Sequence, residues 1–162
     1  MREGAAHLAG LLAALAVFGA DRASKLLVLR ALEPGEVVPV LPFLNIVLVY
    51  NRGVSFGLLG GLGAAAPWLL VLLAVAIAAL LLWWALREDR PMARFALWTV
   101  LGGALGNVYD RLRHGAVVDF VDLHAAGWHW PAFNLADAAV VGGVLWLLGE
   151  SLAAARGGRR CA

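Results

Sequence analysis

The stretch from Ala64 to Leu86, "AAAPWLLVLLAVAIAALLLWWAL", contains no charged side chain. A helix needs about 20 consecutive apolar residues to cross the hydrocarbon core of a bilayer, and this run supplies them. Pro67 stands near its start. Trp83 and Trp84 stand near its end, where a membrane interface favours aromatic rings. Between Trp68 and Trp83 there is no polar residue at all. The whole chain has the same character: of its 162 residues, 62% are hydrophobic and only 15% charged, and the mean hydropathy is +0.82. Soluble domains carry about a quarter charged residues, so the composition points to a membrane protein.

Outward from this run lie three further apolar segments, at about 5–29, 95–111 and 132–155. The first is pure only from Leu8 to Ala20 and then meets Asp21. A short apolar core after Arg2 resembles a signal peptide, but Phe18 occupies a position where cleavage after Ala20 would need a small residue. The segment therefore reads as an uncleaved first span. The long connection, Arg30 to Gly63, holds "EPGEVVPVLPFLNIVLVYNRGVSFG" from Glu33 to Gly57. Its β-branched residues, its prolines and the Asn51-Arg52-Gly53 turn signal predict short strands over about 34–58. The expected fold is an all-α integral membrane protein in one domain, residues 1–162. It has four transmembrane helices, near 5–29, 64–86, 95–111 and 132–155, and a small extracytoplasmic β-sheet between helices 1 and 2.

The polar residues inside the apolar segments carry the chemistry. Asp21 and Lys25 are four apart and share a helix face. Asn107 and Arg111 have the same spacing. Asn134 and Asp137 open the last segment, in "FNLADAAVVGG" (Phe133 to Gly143). Ionisable residues within a membrane segment face a bundle interior or a water-filled cavity, so three helix ends direct polar groups toward one pocket. Each has a plainer reading. Asp21 and Lys25 can be a structural pair, Arg111 and Arg113 snorkelling anchors, Asp110 a partner of Arg113 or Arg30, and Asp119 a loop carboxylate or an N-cap. Gly102 to Gly106 is a Gly-x-x-x-Gly pattern that suits close helix packing.

Several classes of function are disfavoured. The net charge is +2 with scattered basic residues, which is no nucleic-acid footprint. The lone Cys161 makes no internal disulfide. His114, His124 and His129 lack metal-ligand spacing, so neither a metal nor a cofactor is expected. The chemistry within reach is a pair of aspartates, Asp119 and Asp137. Two carboxyl groups close together in a low dielectric share one proton, and such a pair hydrolyses amides without a covalent intermediate. A small transporter or channel is the competing reading. It would need polar residues in a path across the membrane, whereas these gather at one interface. A purely structural subunit leaves the two aspartates unexplained.

Five ordered blocks now resemble a family. They are "DRASK" at Asp21 to Lys25, "NRGVSFG" at Asn51 to Gly57, "GGALGNVYDR" at Gly102 to Arg111, "VVDF" at Val117 to Phe120, and "FNLAD" at Phe133 to Asp137. The chain resembles the lipoprotein signal peptidases, or signal peptidases II. The resemblance implies an aspartic endopeptidase of the bacterial inner membrane that cleaves diacylglyceryl-modified prolipoproteins just before the lipidated cysteine. It places the catalytic aspartates on Asp119 and Asp137, and the supporting polar residues on Asp21, Lys25, Asn51, Asn107, Arg111 and Asn134. It also implies contact with membrane lipids, inhibition by globomycin, and a small extracytoplasmic sheet. Val54 and Ser55 stand where the family often has alanines.

Orientation follows from charge. The loop Arg87–Arg94 and the tail Arg156–Arg160 are basic, whereas the arginines and lysine on the other side are interleaved with carboxylates. Positive charge stays inside, so both termini are expected in the cytoplasm and the polar cluster toward the outer leaflet. A cysteine placed at Glu36 should react with an impermeant thiol reagent in intact cells, and one placed at Asp89 should be shielded. The opposite labelling pattern would reverse the topology.

Overall fold

The computed structural model describes residues 2–53 and 66–158. Four helices carry the mass: α1 (Arg2–Ala31), α2 (Ala66–Arg87), α3 (Pro91–His114) and α4 (Leu135–Gly158). Strands β1 (Val37–Leu41) and β2 (Leu44–Asn51) lie between α1 and α2. Strands β3 (Val117–Ala125) and β4 (Trp128–His129) lie between α3 and α4. The molecule is thus mostly helical with one small antiparallel sheet, in the order β1-β2-β3-β4.

This corrects the expected sheet in one respect. Only half of it comes from the connection between helices 1 and 2. The connection between α3 and α4 is also long and supplies β3 and β4. The apolar "VVDFV" was not legible as a strand because both of its faces are covered: Val117, Val118, Asp119 and Phe120 are all buried. A strand buried on both faces shows no alternation of apolar and polar residues. Val118 and Phe120 pack with Val28 of α1 and Leu48 of β2, tying the sheet to the end of α1. The β3–β4 hairpin closes through Ala126 (φ 48°) and Gly127 (φ 81°), the pair of positive angles that a type I′ turn requires. The expected strands ran on to about residue 58; β2 ends at Asn51, and Val54 to Gly57 lie outside the described residues.

Helix α3 is the axis of the bundle, packing against α1, α2 and α4. Its glycines allow this. A Cβ on Gly102 would sit 2.5 Å from the Ala14 carbonyl oxygen of α1, and one on Gly103 would sit 2.5 Å from the Ala136 carbonyl oxygen of α4. Neither backbone can give way, so two helices approach α3 through glycine alone. The helix ends at Gly115 (φ 68°), whose N–H donates to the Arg111 carbonyl, a left-handed cap.

The segments Pro67–Arg87 and Leu135–Ala153 are long and apolar enough to cross a membrane. Their outer faces expose Trp68, Leu72, Leu80, Val141, Leu145 and Leu148, an apolar surface that suits lipid and not water. Charged groups interrupt α1 and α3 near one end: Asp21, Arg22 and Lys25 in α1, and Asp110 and Arg111 in α3. α3 is longer than expected, and α4 begins at Leu135, so Asn134 precedes the helix.

The glycine contacts predict the effect of substitution. Gly102→Val and Gly103→Val should each lower the thermal midpoint in detergent, at a cost of about 1–3 kcal/mol for overpacking. A Cβ on Gly142 would meet nothing within 4 Å, so Gly142→Ala should hold or slightly raise the midpoint, since alanine favours the helix.

Candidate active site

Asp119 and Asp137 come from different kinds of element. Asp119 lies on β3, paired with Val49 of β2. Asp137 lies in the first turn of α4. Two features bring them together. Phe133 forms a β-bridge with Val121, its carbonyl accepting from the N–H groups of Phe120 and Val121, which fixes the entry of α4 against β3. Asn134, fully buried, then caps the helix.

The cap is reciprocal. The Asn134 Oδ1 accepts from the Asp137 N–H at 2.9 Å, and Asp137 Oδ2 accepts from the Asn134 N–H at 3.2 Å. This is the geometry of a capping box, two orphan donors satisfied at once. The Nδ2 of the same Asn134 donates to Asp119 Oδ1 at 2.7 Å and to Asn107 Oδ1 at 3.2 Å. Asn107 in turn donates from Nδ2 to Asp137 Oδ1 at 2.8 Å. One asparagine thus reaches both carboxyl groups, and a second closes the ring. From the other side Asn51 donates to Asp119 Oδ2 at 3.0 Å. Its own Oδ1 accepts from the Gly53 N–H at 2.9 Å, a local turn that aims the amide at Asp119.

Of the candidate residues, Asn51, Asn107, Asn134, Asp119 and Asp137 form one network. Lys25 joins it at Asn107 Oδ1, 3.3 Å away. Asp21 pairs with Lys25 as its spacing predicted, at 2.8 Å with both side chains fully buried. Arg111 stands apart: among the described residues its guanidinium reaches only the Asn107 carbonyl, at 3.4 Å, and it hydrogen-bonds neither aspartate.

The expected partners of Asp110 need correction. Asp110 pairs with neither Arg113 nor Arg30. It is fully buried, forms a salt bridge to Lys25 at 2.7 Å, is paired with Arg22, and accepts the Val118 N–H at 3.1 Å. The signal that could have found it is charge balance. Arg22 and Lys25 place two cations at the end of an apolar helix that supplies only Asp21, and a buried cation requires an anion.

Two cavities flank the aspartates. One, of about 600 Å³, is apolar except for Asp137 and is lined by Leu123, Trp130, Phe133, Val141 and Leu145. The other, of about 610 Å³, is lined by Tyr50, Asn51, Arg52, Asp119 and Pro131. Burial pushes the Asp119 carboxyl up to about 6 from an ordinary 3.8, against the hydrogen bonds of Asn51 and Asn134, with the neighbouring Asp137 charge adding to the rise. The arrangement is one of acids held by amides, equipped for proton transfer near neutral pH.

The comparisons agree with this picture. The family model described as signal peptidase (SPase) II matches residues 13–153. A lipoprotein signal peptidase of Azoarcus sp. (strain BH72) is 47% identical over 156 residues, covering 93% of this chain and 86% of the relative. That of Ralstonia nicotianae is 44% identical over 132 residues, covering 80% of this chain and 76% of the relative. A bacterial membrane enzyme solved by the in meso method at 1.9 Å superposes with a TM-score of 0.79 at 28% identity, over 88% of this chain and 92% of that one. Fold and likeness together define a membrane-embedded protease. The chain belongs to the signal peptidase II family.

The raised Asp119 pKa has a sign that can be checked. A carboxyl whose folded-state pKa lies above its unfolded value stabilises the fold below the unfolded value, and that stability is lost as pH rises through the folded one. The window here runs from 3.8 to about 6. Asp119→Asn, which cannot ionise, should raise the thermal midpoint relative to the parent at pH 7. The gap should close as the pH falls toward 4. Thermal melts across that range measure it, and a gap that widens in acid would contradict the assignment.

Proposed function

We propose that the chain removes signal peptides from diacylglyceryl-modified prolipoproteins, cutting before the lipidated cysteine, and that Asp119 and Asp137 activate the attacking water. The observation that carries this reading is Asn134. Its amide holds Asp119, its backbone and Oδ1 hold Asp137, and the two cavities open on either side. The apolar cavity beside Asp137 suits the lipidated part of the substrate, and the polar one beside Asp119 suits the extended peptide.

The pair holds one proton, a property of both residues and not of either. The ionised member takes a proton from water as its oxygen attacks the scissile carbonyl carbon. The protonated member donates to the carbonyl oxygen. The tetrahedral intermediate collapses when a proton passes to the cysteine nitrogen and the C–N bond breaks, returning the pair to its single-proton state. Asn51 and Asn134 orient Asp119, while Asn107 and the α4 cap orient Asp137. Arg111 supports the network through the Asn107 backbone.

The same reading sets the protein in the bacterial inner membrane as a single domain of four spans with both termini cytoplasmic. The site faces the outer leaflet and is open to globomycin-type inhibitors. Support comes from the lipid-like outer faces of α2 and α4 and from the full burial of Asp21, Lys25 and Asp110 where charges interrupt α1 and α3. It comes also from the grouping of the polar residues at one end of the bundle. Diacylglyceryl chains stay in the bilayer, so a scissile bond at its outer edge requires a site at that depth.

Asp119→Asn and Asp137→Asn should each lower single-turnover cleavage of a diacylglyceryl-modified prolipoprotein peptide by about 10²–10⁴-fold, the usual contribution of a general acid or base. Globomycin binding should persist as a sign of an intact fold. Residues acting as a unit are not additive, so the double variant should be barely slower than either single one. Substantial cleavage by either single variant would sink the two-aspartate mechanism.

A further inference from the structure

Two backbone N–H groups stand immediately before the two aspartates, and each donates to a buried carboxylate outside the pair. The Ala136 N–H, before Asp137, donates to Asp21 Oδ1 at 3.0 Å. The Val118 N–H, before Asp119, donates to Asp110 Oδ2 at 3.1 Å. The Ala136 N–H is one of the first-turn donors of α4 that no helical carbonyl can satisfy. Asp21 and Asp110 are held in turn by one ammonium: Lys25 Nζ lies 2.8 Å from Asp21 Oδ2 and 2.7 Å from Asp110 Oδ2. Its third contact is Asn107 Oδ1 at 3.3 Å, and Asn107 donates to Asp137. Asp21, Lys25 and Asp110 are all fully buried. Asp21 also rests on Gly106, where a Cβ would lie 2.5 Å from its Oδ2.

We propose that Asp21 and Asp110 are paired positioning residues, yoked by Lys25, that set the separation of the Asp119 and Asp137 carboxyl groups. The inference rests on the peptidase reading above. A movement of Asp21 shifts the first turn of α4, and a movement of Asp110 shifts β3. The ammonium between them forbids either from moving alone. The proton held by the pair depends on how closely its two carboxyl groups approach, so the yoke governs the pH at which the pair is singly protonated. The charged groups around the pair are Asp21, Arg22 and Lys25 from α1, and Asp110 and Arg111 from α3. The sheet contributes Asp119 and Tyr50, the turn after β2 contributes Arg52 on the cavity beside Asp119, and α4 contributes Asp137.

A purely structural triad would make a different prediction, and one variant separates the two. Asp21→Asn/Lys25→Met/Asp110→Asn removes the three fully buried charges together, and only Arg22, itself partly exposed, loses its carboxylate. Each asparagine keeps an oxygen for its backbone N–H. Arg22 keeps the ring of Tyr109, 4.3 Å away. The variant is expected to melt near the parent temperature yet to show kcat lower by about 10–100-fold, the scale of sub-ångström to 1 Å misplacement. KM should stay within about twofold, as for the loss of an interaction made only in the transition state. The acid limb of its pH–rate profile should be displaced. Asp110→Glu, one methylene longer with its charge kept, is expected to show the same kcat loss and displaced limb in protein that still melts cooperatively, with at most the modest drop in midpoint that overpacking brings. It decides the matter if the triple variant does not fold. Parental kcat together with an unmoved acid limb, in a folded triple variant or in Asp110→Glu, would overturn the yoke. The parent and Asp119→Asn run alongside: failure of the parent to cleave the lipid-modified peptide would overturn the peptidase reading itself, a separate result.

Discussion

A single ammonium group, that of Lys25, sits among apolar helices with no access to water. An isolated charge there is prohibitively costly and must be paired and hydrogen-bonded. Asp21 from its own helix and Asp110 from α3 meet that demand, and Asn107 takes the remaining donor. The pairing dictates how α1 and α3 register against each other. The other oxygen of Asp21 accepts from the backbone of α4, and the Asp110 oxygen that faces Lys25 also accepts from the backbone of β3. Satisfying one charge therefore orders four elements around the site.

Close approach is the second constraint, and it belongs to α3. Because Gly102 and Gly103 let α1 and α4 lie against its backbone, the side chain of Asn107 reaches both, and that of Asp110 reaches α1. A bulkier helix would hold its neighbours several ångströms away, and the network joining Asn107, Asn134 and the two aspartates could not close. The membrane favours this solution, since helices in lipid gain little from burying apolar side chains and associate through tight packing and polar contacts.

Strand β3 shows how environment selects chemistry. Asp119 and Asp122 are three residues apart, so the pleat turns them to opposite faces. Asp122 accepts from Asn45 at 2.8 Å and contacts His129 at 2.9 Å, and these hydrogen bonds hold its carboxyl below the ordinary range. Asp119 also accepts two amide hydrogen bonds, yet burial and a neighbouring carboxylate raise its pKa to about 6. Two identical side chains on one strand become a carboxyl held low and a carboxyl raised toward neutrality.

What the sequence by itself determined was the solvent and the cast. The charge-free run from Ala64 to Leu86 required lipid. The spacing of Asp21 and Lys25 allowed a pair, and the five ordered blocks pointed to the family and to Asp119 and Asp137. Asn134 and Asp137, three apart at a helix start, already carried the local pattern of a cap. The tertiary structure alone decided the rest. Whether "VVDF" was a loop or a strand depended on Val28 and Leu48, far away in the chain, covering its apolar face. The role of Asp110 depended on a lysine in another helix, because periodicity records neighbours one turn away and not a partner across a bundle. That Asn134 reaches both aspartates followed only once Phe133 had been bridged to Val121, a contact set by the packing of a sheet against a helix end.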